Sequence, residues 1–258
     1  MIFLWITKTN FSEKETDLKI VEKMAEKCKN LGSVEGVTIA FLGDSVTQGC
    51  FDLYKEANGV INTYFDKRLG YEMRLFEILC SLYPSCTVNI INAGISGDRA
   101  KTGLKRLERD IIRHRPDLCV VCYGLNDCSD AEDSLDRYIT PLRGIFERLQ
   151  NEGIEVIFMT PNMMNTGISP HLNDPDYVTI AEKKGALQTS GIFDRHIEAA
   201  RALCAELNVP LCDCYAIWKT LSAGGVNTTE LLANKINHPT PEMHKVFAYE
   251  LVKTMFEK

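Results

Sequence analysis

The stretch Ile39-Ala40-Phe41-Leu42-Gly43-Asp44-Ser45-Val46-Thr47-Gln48-Gly49 decides how the chain is read. An apolar run, the pattern of a buried strand, stops abruptly at a glycine, and a serine follows between small, turn-forming neighbours. Glycine at 43 and 49 permits a sharp turn and close backbone approach, where a β-branched residue would resist positive φ. Such a turn presents a hydroxyl at the mouth of a sheet, the position a serine nucleophile would take. Taken alone, the same residues also suit an ordinary βα turn, because Gly-Asp-Ser is common loop chemistry.

Outward from this stretch the pattern repeats. Val88-Asn89-Ile90-Ile91 leads into Asn92-Ala93-Gly94, and Leu118-Cys119-Val120-Val121-Cys122 leads into Tyr123-Gly124-Leu125-Asn126-Asp127. Strands are expected near 37–43, 87–92, 118–123, 154–160 and 209–214. Helical periodicity falls near 70–83, 101–114, 131–152 and 190–207, with a last helix over about 241–256. Alternation of this kind implies an α/β fold with a mostly parallel sheet covered on both faces by right-handed crossovers. Near-continuous apolar strands agree, since parallel strands are buried on both sides. The expected architecture is a three-layer α/β/α sandwich around five strands. In such a sheet, ligands bind outside the carboxyl ends of the strands, and Ser45, Gly94 and Asn126 all lie just beyond such ends.

Near the end of the chain comes Asn237-His238-Pro239. From about residue 37 to about 250 the chain resembles the SGNH hydrolases, also called the GDSL esterase/lipase family, whose four blocks supply in order a serine, a glycine, an asparagine and a histidine. Here these are Ser45, Gly94, Asn126 and His238. The resemblance implies the flavodoxin-like strand order 2-1-3-4-5, which would bring the first three from adjacent strands to one crevice. It also implies an oxyanion hole made by the backbone N–H of Ser45, the backbone N–H of Gly94 and the side-chain amide of Asn126. Glycine suits that task because no Cβ obstructs the substrate.

A serine hydroxyl is a weak nucleophile at neutral pH, so acyl transfer needs a base beside it, and histidine titrates in the right range. His238 is the candidate; it precedes a proline and a helix, on a loop whose backbone is already restrained. His114, His171, His196 and His244 are read as surface or packing residues, with His171 in a long polar loop that can line a site. The acid departs from the resemblance. The family's aspartate stands three residues before the histidine, and this chain has Lys235 there. Three readings follow: Asn234 or a backbone carbonyl orients His238, Asp213 at the end of the fifth strand reaches it, or the protein is weak or inactive. We favour the first. Asp44 and Asp127 are expected to hold their turns by hydrogen bonding, and Asp98 and Arg99 to cap the following helix, Arg99 being also a possible contact for an anionic substrate.

Length and composition bound the rest. The 258 residues, 45% apolar, suit one α/β domain over 36–258, preceded by an extension over 1–35 whose amphipathic helix, from about Ser12 to Leu31, packs on the body. Net charge is −6 without a basic run, so a nucleic-acid partner is not expected. No run approaches the roughly 18 to 20 apolar residues a membrane helix needs, and Met1–Ile6 is shorter than a signal-peptide core. A cytoplasmic location is therefore expected, and ten cysteines fit a reduced compartment. Cys119 and Cys122 would point to opposite faces of a strand, and Cys212 and Cys214 lack a second ligand pair. No metal and no cofactor is expected, and the sequence specifies no oligomeric state.

Two long connections stand at the active end of the sheet, Cys50 to Gly70 and Pro161 to Gly191, and loops of this length are usually functional or mobile. Phe51, Met163 and Met164 are their candidate substrate-binding residues. Neither loop has the broad apolar stretch of a lipase, so the expected substrate is a small acyl ester, by family analogy an acetyl group on a carbohydrate, hydrolysed through an acyl-enzyme. The alternatives are an O-acyltransferase using the same serine and a catalytically weak carbohydrate-binding relative. A flavin or phosphate site at Ser45 and Thr47 ranks last, because it leaves Asn126 and His238 without a task.

Overall fold

The computed structural model describes residues 18–131 and 133–257. The first seventeen residues, including the expected start of the N-terminal helix, lie outside the described residues. From Lys19 to Lys29 the chain is helical (α1) and buries Ile20 and Met24 in the same apolar cluster as β1, Val37–Gly43. The first N–H groups of a helix lack intrahelical partners. Here a distant carboxylate supplies them: the backbone N–H of Lys19 and Ile20 donate to Glu155 at 2.6 and 2.9 Å.

After β1 comes a single helical turn, α2 (Ser45–Gln48), then an antiparallel hairpin of β2 (Cys50–Lys55) and β3 (Ile61–Phe65). The alternation continues with α3 (Tyr71–Leu82), β4 (Val88–Gly94), α4 (Ala100–Asp110), β5 (Leu118–Cys122) and α5 (Ser134–Asn151). Then come β6 (Glu155–Met159), α6 (Pro175–Thr189), α7 (Ile192–Leu207), β7 (Leu211–Cys212), α8 (Cys214–Ala223) and α9 (Pro241–Phe256).

The main sheet has the order β4-β1-β5-β6-β7 with every neighbouring pair parallel, which is the expected 2-1-3-4-5. Side chains alternate across it. Ile39 and Phe41 enter one apolar cluster and Ala40 and Leu42 the other, so both faces of β1 are covered. Cys119 and Cys122 divide between the two clusters in the same way, and all ten cysteines are free thiols. Register brings Gly43 opposite both Gly94 and Cys122, so three strands end level with one another. That alignment lets residues far apart in sequence share one crevice.

The two long connections are more regular than expected. In the first, Asn58-Gly59 turns the β2–β3 hairpin, with Gly59 at φ 84° and Glu56 N–H donating to Val60 O at 2.8 Å. The second contains α6, started by Asp174, which accepts from Asp176 N at 2.9 Å, and by Pro175 in the first turn. Lys55 near the hairpin tip joins the two segments by ion pairs to Asp174 and Asp176. Among the described residues no helix is long and apolar enough to cross a membrane.

Candidate active site

Ser45 is the first residue of α2, directly beyond β1, and is 3% exposed. Asp44 caps this turn by accepting from Val46 N at 3.0 Å, and Gly49 closes it at φ 86°. Gly43 is required by crowding: a Cβ there would lie 2.1 Å from Thr47 Oγ1 and 2.7 Å from the Cys122 carbonyl. His238 arrives from the loop before α9, whose N-terminus is fixed by Thr240 and Pro241. Its Nε2 lies 3.0 Å from Ser45 Oγ. Burial pushes the imidazole down to about 4, and the Lys184 charge adds to the effect, so the ring is neutral at physiological pH. A neutral ring that accepts the serine proton at Nε2 carries its own proton on Nδ1. That Nδ1 has no hydrogen-bond partner among the described residues.

Asn234 reaches His238 through the backbone rather than the ring. Its Oδ1 accepts from the N–H groups of Ile236, Asn237 and His238 at 3.0, 2.9 and 2.9 Å, and its Nδ2 donates to Asn237 Oδ1 at 3.1 Å. Lys235, in the place of the family's aspartate, adopts φ 58° and sends its ammonium to the Glu230 carbonyl and carboxylate, each at 3.1 Å. Asp213 is committed elsewhere: it receives two hydrogen bonds from Arg201 at 2.9 Å, one from Thr160 Oγ1 at 3.0 Å, and caps α8 through Ala216 N at 3.2 Å.

Gly94 lies at the end of β4 as expected, but its N–H donates to Asn92 Oδ1 at 2.9 Å. A Cβ on it would meet the Gln48 backbone nitrogen at 2.2 Å. The absent side chain therefore makes room for α2, not for a substrate. Three residues on, Gly97 sits at φ 75° with nothing within 4 Å of a built Cβ. Its N–H has no hydrogen-bond partner among the described residues. Asn126 donates from Nδ2 to Asp98 O at 3.1 Å and to Asp44 Oδ2 at 3.4 Å, linking all three turns.

Burial raises the carboxyls of Asp44, Glu72 and Asp127 to about 7 each. Asp127 accepts from Ala100 N at 2.9 Å and so caps α4; Glu72 accepts from Asn92 Nδ2 at 2.7 Å. Arg99 makes its capping contacts through the backbone and Thr102. The expected substrate-binding residues lie inward. Met163 and Met164, 3% and 0% exposed, belong to the core cluster that includes Val46. Phe51 packs on His244 at 4.9 Å between ring centroids. Lys184 on α6, not foreseen, donates to Leu125 O at 2.8 Å, beside Asn126. His244 is likewise interior, its Nδ1 accepting from Tyr71 N at 3.0 Å.

A parallel α/β sheet with a strand-end serine, and a histidine laid on it from the loop before the last helix, is the arrangement that acyl transfer by a serine requires. Comparison with known proteins agrees. Residues 41–246 match the GDSL-like lipase/acylhydrolase family, and the chain belongs to that family. It is 28% identical over 135 residues to an acetylxylan esterase of Geobacillus stearothermophilus, a match spanning 49% of this chain and 60% of that enzyme. Among solved structures it is similar to an acetyl-xylooligosaccharide esterase of Geobacillus, with TM-score 0.64 at 21% identity over 87% of this chain and 96% of that one. A gut microbial diltiazem-metabolizing enzyme gives TM-score 0.64 at 19% identity over 86% and 47%. Catalytic mutants of the Geobacillus stearothermophilus esterase include a serine-to-alanine and an aspartate-to-alanine variant. These likenesses carry the fold.

Proposed function

We propose that the chain is a metal-independent serine esterase that removes a small acyl group, acetyl foremost, from a carbohydrate ester. The observation that carries this reading is the 3.0 Å contact between His238 Nε2 and Ser45 Oγ, within hydrogen-bond reach of a general base and its nucleophile. Ser45 Oγ attacks the ester carbonyl while its proton passes to His238 Nε2. The tetrahedral intermediate collapses, His238 returns the proton to the leaving alcohol, and water activated by the same ring releases the acid. Ser45 N–H serves the oxyanion, and Asn126 Nδ2 joins it by exchanging its long 3.4 Å contact with Asp44 Oδ2 for the substrate oxygen. We assign the third donor to Gly97 N–H in place of Gly94, whose N–H is occupied by Asn92. Donors of this kind are each worth about 2.7 to 4 kcal/mol of barrier.

The acetyl preference is supported by the acetylxylan esterases that the chain resembles and by the inward placement of Met163 and Met164, which leaves them little surface for a long acyl chain. Orientation of His238 is assigned to the loop that Asn234 holds. Ten free thiols favour a reduced cytoplasm, and residues 36–258 are taken as one catalytic domain with 1–35 as its extension.

The test is hydrolysis of p-nitrophenyl acetate by wild type and Ser45→Ala with EDTA present. Serine-dependent turnover in wild type should fall by about 10³-fold or more in the mutant. Equal rates in the two proteins would overturn the assignment of the nucleophile.

A further inference from the structure

We infer that Arg106 is the positioning residue of the oxyanion site, holding the ends of β1, β4 and β5 in the register that catalysis needs. The inference rests on the serine esterase reading above. Arg106 projects from α4 and is 8% exposed. A guanidinium has five N–H donors in a fixed planar fork, and here each has an acceptor. Nε donates to Asp98 Oδ2 at 2.8 Å; Nη1 donates to Ala93 O at 2.6 Å and Asp110 Oδ2 at 3.0 Å; Nη2 donates to Gly43 O at 3.1 Å and Tyr123 Oη at 2.9 Å.

Apart from Asp110, the last residue of α4, these acceptors belong to the three strand ends and turns that carry the proposed oxyanion donors. Gly43 is two residues before Ser45. Ala93 is the penultimate residue of β4, and Asp98 directly follows Gly97. Tyr123 follows β5 and is three residues before Asn126, while Asp98 O receives the Asn126 amide at 3.1 Å. Tyr123 also donates its hydroxyl proton to Asp98 Oδ2 at 2.9 Å, closing the ring of contacts. One side chain thus spans all three blocks from behind, without standing beside the Ser45–His238 pair.

Its charge faces two carboxylates, Asp98 and Asp110, at 2.6 and 3.0 Å, so its leverage is geometric more than electrostatic. Lysine retains a charge but has a compact ammonium and no planar fork, and cannot make five directed bonds. Displacing a donor by about 1 Å can cost on the order of 10²-fold in rate. The loss belongs in kcat, because the donors matter most once charge develops on the carbonyl oxygen.

The experiment compares wild type, Ser45→Ala, Arg106→Lys, Arg106→Gln and Tyr123→Phe on p-nitrophenyl acetate, with kcat normalised to folded protein by circular dichroism and Tm. Both Arg106 variants should lose about tenfold or more in kcat with KM within about twofold of wild type, and with the acid limb of the pH profile unmoved. Tyr123→Phe, a milder change, should show the same split at several-fold, and it decides the matter if the Arg106 variants do not fold. A folded Arg106→Lys or Arg106→Gln with wild-type kcat overturns the inference. So does a loss confined to KM, or a Tyr123→Phe with unchanged kcat when the Arg106 variants do not fold. Absence of Ser45-dependent turnover in wild type is a different result: it removes the esterase reading, and the inference with it.

Discussion

His238 Nε2 and Ser45 Oγ meet at 3.0 Å although 193 residues of sequence separate them. The sheet brings Ser45 to the end of β1, and the closed loop ahead of α9 lowers the imidazole onto it. That loop is tied at its base by the Leu232–Pro239 bridge and by Ala233 N–H donating to His238 O at 2.7 Å. The pair is buried, with Ser45 and His238 exposed by only 3% and 4%. Burial sets the protonation chemistry of the site.

The first consequence concerns pH. Burial, with the Lys184 charge second, lowers His238 to about 4, and only the neutral ring can take the serine proton. Activity is therefore retained above that value and lost as pH falls through it. We expect the acid limb of kcat/KM to lie near pH 4, well below the ordinary histidine value of about 6.5. Lys184→Met should move the limb upward, because a repelling cation is gone. A limb near 6.5 in wild type would contradict a buried, neutral imidazole.

Asn234 offers a second test. Its Oδ1 serves three backbone N–H groups at once. Asn234→Ala leaves those donors without an acceptor and should cost about 1 to 3 kcal/mol of stability. Turnover should fall with it, while Asn234→Asp keeps the acceptor and most of the stability. Thermal unfolding of both variants checks this; an Asn234→Ala protein as stable as wild type would sink the loop-holding role.

Two glycines should respond oppositely to alanine. At Gly94 the new methyl group would press on the α2 backbone at 2.2 Å, displacing the turn that carries Ser45. Overpacking of this kind costs about 1 to 3 kcal/mol, and activity should be largely lost. At Gly97 the methyl group has open space, and the penalty is the left-handed φ of 75°, about 1 to 2 kcal/mol. The N–H is retained, so turnover should survive within several-fold. Kinetics of the two variants side by side would reject the assignment if Gly97→Ala were inactive and Gly94→Ala active.

Glu72 gives a stability prediction. Burial raises its carboxyl from 4.5 to about 7, so the folded state holds a proton that the unfolded state releases. Its contribution is fully present below about pH 4.5 and is lost as pH rises through about 7. Glu72→Gln does not titrate. The difference in unfolding free energy should therefore shift in favour of the variant by on the order of 3 kcal/mol between those limits. Urea unfolding at pH 5 and pH 8 reads this shift, and parallel pH dependence in the two proteins would show that Glu72 does not hold the proton.

Much of the fold was legible because its signals are local. Apolar runs marked five strands, and the turn residues after them marked the crevice. The β2–β3 hairpin carried a readable Asn58-Gly59 turn, but its strands are half polar and lack a continuous apolar run. α6 had an Asp174-Pro175 start, yet buries only Ala181, Gly185 and Gln188 among its residues, so its apolar periodicity is faint. Gly94 and Gly97 are alike as letters. What separates them is a hydrogen bond from Asn92 and the backbone of α2, and neither is visible in the order of residues.

The sequence by itself determined the alternation of strand and helix, the serine after the first strand and the histidine before the last helix, because hydrophobic period and turn chemistry act over a few neighbours. Only the tertiary structure decided how those residues work together. It set a buried His238 against Ser45, turned Asn234 to the backbone, committed Asp213 to Arg201, and placed the Arg106 guanidinium behind three strand ends. Each of these depends on distances between segments tens to hundreds of residues apart, which sheet register and packing fix.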